Sequence, residues 1–191
     1  MPRDDPIAIC LFCGSRDGRI PAYREAAEAL GKSVAARGWS LVYGGSSIGL
    51  MAAAADSALR AGGHVQGVIP AALVDREVAH RGLSELSIVQ TMSQRKEKMA
   101  ALSDAFVILP GGIGTMDELF EVWTWRYLGA HDKPSVLINV NGFYDPLASQ
   151  VALMHDHGFL TAGISDTLVV ANAVDDAMSH LAAALQGRSR R

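Results

Sequence analysis

Short apolar runs rich in β-branched residues recur along this chain, and longer stretches between them carry apolar positions at helical spacing. The runs Ile7 to Phe12, Trp39 to Tyr43, His64 to Ile69, Leu86 to Gln90, Phe106 to Leu109, Pro134 to Val140 and Leu168 to Ala171 are predicted strands. Predicted helices cover Pro21 to Arg37, Ile48 to Ala61, Ser93 to Leu102, Met116 to Trp125, Tyr144 to His157 and Val174 to Leu185. Pro21 suits a first helical turn, Gly38 a helix stop, and Pro70 a strand end. Ala71 to Ser84 reads as a polar connection. Continuous apolar strands are those buried on both faces. Their alternation with helices predicts an α/β protein, one doubly wound domain over residues 1–191 with a mostly parallel sheet and helices on both faces. Residues 1–5 and 187–191 read as frayed tails.

In such sheets ligands bind at the carboxyl ends of the strands, around the point where strand order reverses. Three predicted strand ends carry glycine or small polar residues: Gly14-Ser15, Gly44-Gly45-Ser46, and Gly111 to Thr115. The third belongs to the most informative stretch of the chain, FVILPGGIGTMDELFEVWTWR from Phe106 to Arg126. Pro110 ends its strand, Gly111, Gly112 and Gly114 allow a tight turn, and Thr115 is placed to cap the next helix. Backbone N–H groups then point outward at the positive end of a helix dipole, which suits a phosphate. Asp117 and Glu118 follow at once. Either Glu118 closes a capping box with Thr115, or it does chemistry beside a bound phosphate. No GxGxxG or GxxxxGK[ST] occurs, which weakens dinucleotide and P-loop readings.

The 191 residues are 49% hydrophobic, 19% charged and 6% aromatic, with net charge −3. That balance offers no global attraction to nucleic acid or anionic lipid. No secretory signal or bilayer-length apolar run is visible, so a cytoplasmic protein is expected. Cys10 and Cys13 fall within a strand and its exit, where alternation sends them to opposite faces. They read as buried free thiols, in contrast to a redox CxxC, which opens a helix. His155 and His157 lack partners that would complete a metal site.

A second constellation is Gln94-Arg95-Lys96-Glu97-Lys98. Cations in a first helical turn oppose the macrodipole, a local inconsistency that marks functional sites. Lys96 and Lys98 are expected to reach solvent, whereas Arg95 shares a face with Met99 and Leu102 and points inward. A buried guanidinium wants an anion, Glu118 or a ligand phosphate.

VYGGSSIGLM, MSQRK and PGGIGTMDE, in this order, resemble the Lonely-guy (LOG) cytokinin-activating phosphoribohydrolases, from CGS at Cys13 through HDKP at His131. The resemblance implies a Rossmann-like homodimer that needs no cofactor or metal. It would cleave cytokinin riboside 5′-monophosphates, and AMP in several relatives, to free base and ribose 5-phosphate. Arg95 and Glu118 would be the catalytic pair. Glu77, Arg95, Lys96 and Gly111, Gly112, Ile113, Gly114, Thr115, Met116 and Asp117 would line the nucleotide site, with Thr124, and with Ser15 and Gly45 from the other glycine-rich exits. Ser46, Ser93, Ile113 and Asp117 depart from the family's commoner glycine, histidine, tyrosine and glutamate, which bears on base preference.

The cleavage develops positive charge on the ribose, so a carboxylate there would stabilise the transition state and direct water. Three other classes compete. A nucleotide or molybdenum-cofactor carrier of the same fold has no need of a carboxylate beside its anion. Single-stranded DNA binding calls for a basic, aromatic-lined groove. Lysine decarboxylation needs pyridoxal phosphate on a lysine, and Lys32, Lys96, Lys98 and Lys133 sit in no such context. The predicted helix after the glycine turn, with Leu119, Phe120, Trp123 and Trp125, is apolar on most sides, so a partner subunit is expected to cover one of them.

Overall fold

Every predicted strand takes its place in one parallel sheet. The structure is a computed structural model that describes residues 6–74 and 79–188. The strands are β1 (Ala8–Phe12), β2 (Ser40–Tyr43), β3 (His64–Pro70), β4 (Glu85–Val89), β5 (Ala105–Ile108), β6 (Ser135–Ile138) and β7 (Leu168–Ala171). Their order across the sheet is β4-β3-β2-β1-β5-β6-β7. β1, β2, β5 and β6 are buried at every position, as their apolar runs require. The edge strand β4 instead exposes Leu86 and Ile88.

Seven helices cover the two faces: α1 (Pro21–Ala36), α2 (Gly49–Arg60), α3 (Met92–Ala101), α4 (Ile113–Tyr127), α5 (Asp145–Asp156), α6 (Ala162–Ser165) and α7 (Val174–Arg188). Leu30, Val34, Ala54, Ala58, Met178 and Leu181 of α1, α2 and α7 pack with Ile9, Leu11, Leu41 and Val107 on one face. Met99, Leu119, Val122 and Trp123 of α3 and α4 pack with Cys10, Phe12, Val42, Phe106 and Ile108 on the other. Strand alternation therefore places Cys13 in the first core and Cys10 in the second. Both are free thiols, and burial pushes both well above the ordinary thiol range, so they stay protonated and inert at neutral pH.

The chain runs outward from β1 through β2 and β3 to β4, then returns to the other side of β1 as β5. The loops leaving β1 and β5 consequently diverge to opposite faces and leave a crevice between them. Phe12 pairs with Ile108 in register, so the two strand ends lie side by side. Beyond them the Gly14 N–H donates to the Pro110 carbonyl at 3.1 Å, tying one glycine-rich exit to the other.

Of the helix starts that differ from expectation, those of α3 and α4 bear on the site. The α4 N-cap is Gly112, in extended conformation and without a capping side chain. Thr115 is thus the third helical residue and is buried, so it neither caps the helix nor forms a capping box with Glu118. The helix begins earlier than predicted because Ile113 and Gly114 need only turn outward in its first turn, where no preceding backbone opposes them. α3 starts at Met92, with Thr91 Oγ1 accepting from the Gln94 N–H at 3.1 Å. The four-residue α6 had no sequence signal strong enough to predict.

Candidate active site

A cavity of about 680 Å³ opens in the crevice, within the range of small-molecule sites. The β1 exit contributes Cys13 to Gly18, the β2 exit Gly44, α3 Arg95, and the β5 exit with α4 Pro110 to Thr115 and Glu118. Residues distant in sequence meet here because the parallel strands deliver their carboxyl ends to the same side of the sheet.

The start of α4 has the features that suit an anion. Its first N–H groups have no capping side chain, and its first turn holds no acidic residue. An added Cβ at Gly111 would stand 2.0 Å from Thr115 Oγ1, so only glycine lets the turn close on the helix. At Gly112 and Gly114 a Cβ would meet nothing within 4 Å, and neither has a positive φ. Neither conformation nor internal packing demands glycine at those two positions. The open space in front of them is what a bound group would fill.

Arg95, one turn into α3, is only 4% exposed and yet fully charged. Its Nη2 donates to the Gly44 carbonyl at 2.6 Å and its Nε to the Val68 carbonyl at 3.1 Å. Met99 follows it into the core as the helical spacing predicts, but Leu102 is 37% exposed, because the helix ends there and its cap turns outward. Glu118, on the second turn of α4, is half-buried and lines the same cavity. Its negative charge raises both buried thiols further, behind the larger effect of burial.

Lys96 corrects the sequence reading. It is buried rather than solvated, with Nζ donating to Asp117 Oδ2 at 2.9 Å and standing 2.9 Å from Glu121 Oε2. Burial alone would lower its pKa, but the two carboxylates outweigh that and hold the ammonium above its ordinary value. The triad clamps α3 to α4, one residue along from Arg95 on one side and from Glu118 on the other. Periodicity could not reveal it, since the partners lie on another helix. Lys98 is exposed, as expected.

The remaining expected site residues divide. Arg95, Glu118, Ser15 and Gly111 to Thr115, including Ile113, line the cavity. Lys96, Met116, Asp117, Thr124 and Gly45 do not. Met116 packs against the core, Thr124 is exposed further along α4, and Gly45 holds a turn with φ 75° whose carbonyl accepts the His80 N–H. Glu77 lies outside the described residues. Lining that sequence reasoning passed over comprises Arg16, Asp17, Tyr23, Met51, Met92 and Phe143. These come from several elements, and only their shared place at the crevice marks them.

None of the four lysines lines the cavity. Lys32 and Lys98 are exposed, Lys96 is ion-paired, and Lys133 Nζ donates to the Ala100 carbonyl at 2.6 Å. The residues present therefore do not fit pyridoxal phosphate bound through a lysine Schiff base.

Comparison with known proteins identifies the family. The family model described as "Possible lysine decarboxylase" matches residues 51–181. The cytokinin riboside 5′-monophosphate phosphoribohydrolase of Rhodococcoides fascians is 44% identical over 178 residues, spanning 93% of this chain and 90% of the relative. The Oryza sativa enzyme of that name, LOG, is 49% identical over 152 residues, which is 80% of this chain and 63% of the relative. Among solved structures, the molybdenum cofactor binding protein of Rippkaea orientalis superposes with a TM-score of 0.73 at 19% identity, covering 96% of this chain and 99% of that one. At that identity the likeness is one of fold. The model match and these relatives, over most of its length, establish that the chain belongs to the Lonely-guy family of cytokinin riboside 5′-monophosphate phosphoribohydrolases.

Proposed function

We propose that this protein hydrolyses the N-glycosidic bond of cytokinin riboside 5′-monophosphates, and of AMP, to free base and ribose 5-phosphate. The observation that carries the reading is one cavity holding both an uncapped helix N-terminus and the Glu118 carboxylate. The α4 N–H groups from Ile113 to Thr115 hold the 5′-phosphate, with Ser15 facing them from the β1 loop. Glu118 then lies beside the ribose. It stabilises positive charge developing at C1′ and takes a proton from the attacking water. The C1′–N bond breaks with its electrons on the base, the water oxygen bonds to C1′, and the proton taken from the water passes to the base. Arg95, anchored on the Gly44 and Val68 carbonyls, orients the nucleotide and keeps Glu118 ionised. Lys96 and Asp117 act at one remove, by fixing α3 on α4. Glu77, which the resemblance puts at the nucleotide site, is assigned to the ribose hydroxyls as part of this proposal.

The test is release of adenine from AMP and of isopentenyladenine from its riboside 5′-monophosphate, in the presence of a chelator. Both bases are expected, each with one equivalent of ribose 5-phosphate. Tight nucleotide binding with release of neither base overturns the hydrolase and leaves a carrier of the same fold.

The protein is also proposed to act as a homodimer in the cytoplasm. No helix among the described residues is long and apolar enough to cross a membrane. On α4, Leu119, Val122 and Trp123 face the core, while Ile113, Phe120 and Tyr127, seven residues apart, stay 91%, 36% and 55% exposed on another face. Such a stripe suits a second copy of the chain, which would also close the cavity mouth at Ile113. Sedimentation should give twice the 20.2 kDa chain mass, and Phe120→Glu should halve it; a monomeric wild type refutes the dimer.

A further inference from the structure

We propose that Arg16 is a specificity-determining residue: its guanidinium grips the substrate's 5′-phosphate and selects nucleotides over unphosphorylated nucleosides. This deepens the hydrolase reading and rests on it. Among the described residues, four charged side chains line the cavity: Arg16, Asp17, Arg95 and Glu118. Asp17 is held by Arg24 at 2.9 Å. Arg95 is committed through Nη2 and Nε to backbone carbonyls, and its charge is offset by Glu118 in the same cavity. Among the described residues no ion pair or hydrogen bond holds the Arg16 side chain, which is exposed.

Magnitudes decide what a phosphate dianion then needs. The N-terminus of α4 offers roughly half a unit of positive charge, against about two negative charges on a phosphate monoester near neutral pH. The helix end alone leaves most of that charge uncompensated, beside a carboxylate of the same sign. A further cation is needed, and among the described residues Arg16 is the one the cavity supplies.

Its backbone is fixed while its head is free. Gly49, with φ 64°, passes so close that a Cβ there would stand 2.4 Å from Arg16 N and 2.3 Å from the Ser15 carbonyl carbon. On the other side a Cβ at Gly14 would stand 3.0 Å from the Arg16 carbonyl oxygen, and Gly14 is itself bonded to Pro110 beside the glycine turn. The loop is thereby set against the start of α4, and a planar guanidinium opposite those N–H groups can bind two phosphate oxygens at once.

The experiment compares wild type, Arg16→Gln and Arg16→Lys for KM on AMP, for turnover of adenosine and for inhibition by ribose 5-phosphate. Loss of a charged hydrogen-bonding partner should raise KM for AMP and the inhibition constant for ribose 5-phosphate by about ten- to a hundred-fold in Arg16→Gln. The effect falls on KM rather than kcat, the slow turnover of adenosine does not change, and Arg16→Lys recovers part of the loss. A merely structural loop residue would move the adenosine rate as well. If wild type turns over AMP and Arg16→Gln shows unaltered KM and inhibition, the inference fails while the hydrolase reading stands. If wild type releases no base, the hydrolase reading fails. Calorimetric titration with AMP then still judges the phosphate contact: weaker binding by Arg16→Gln upholds it, and equal binding overturns it.

Discussion

Glu118→Gln is expected to lower kcat for base release by about two to four orders of magnitude, the usual contribution of a positioned acid–base group. Glutamine has the same shape and the same place on the second turn of α4, so it preserves packing while removing the negative charge and the proton acceptor. The helix start does not depend on Glu118, because α4 opens at Gly112 without a capping side chain. The thermal midpoint should therefore stay near that of the wild type. KM for AMP should also hold, since the phosphate is bound a turn away. A variant that is folded, binds nucleotide and does not release base assigns the chemistry to the carboxylate. One that turns over at the wild-type rate would remove Glu118 from the mechanism.

The second large effect comes from a residue with no side chain. Gly44→Ala would place a Cβ 2.1 Å from Arg95 Nη2 and 3.0 Å from Met51 Sδ. Gly44 has no positive φ, so alanine is compatible with its backbone. What must move is the guanidinium, which then loses its bond to the Gly44 carbonyl and its alignment with Val68. Hydrogen bonds from a charged donor contribute about 1.5–3 kcal/mol each, and a domain this size has about 5–15 kcal/mol in hand, so the variant should remain folded. Misplacement of a catalytic group by about 1 Å can reduce the rate a hundred-fold, and a loss of that order in kcat/KM is expected. Circular dichroism melts and steady-state kinetics on one preparation check both halves. Full activity in Gly44→Ala would mean that the observed position of Arg95 is not needed.

Much of this architecture is legible in the chain. The runs around Leu11, Val42 and Val107 specify strands buried on both faces, because only a covered parallel sheet hides continuous apolar sequence. The three-residue spacing of Cys10 and Cys13 assigns them to opposite faces by the two-residue period of a strand. The turn from Pro110 to Gly114 marks a candidate anion site, since strand end, glycines and helix start are contiguous in sequence. Arg95 could be assigned to the interior, its neighbours in the helical period being apolar.

What the chain could not convey are relations between distant segments. Lys96 looks like a solvent-facing cation beside Glu97 and Lys98; its burial follows from Asp117 and Glu121 on α4, which the sheet order alone brings to α3. The carbonyls that hold Arg95 belong to Gly44 and Val68, and a backbone oxygen leaves no mark in sequence. Arg16 and Phe143 reach one cavity only because β1 ends where the strand order reverses. Local sequence thus determined the elements and the glycine turn before α4, since hydrophobic period and turn chemistry act within a few residues. The tertiary structure decided which charges are buried, what they pair with and which loops share the cavity, because burial and Coulomb energies depend on groups that meet only when the sheet is assembled.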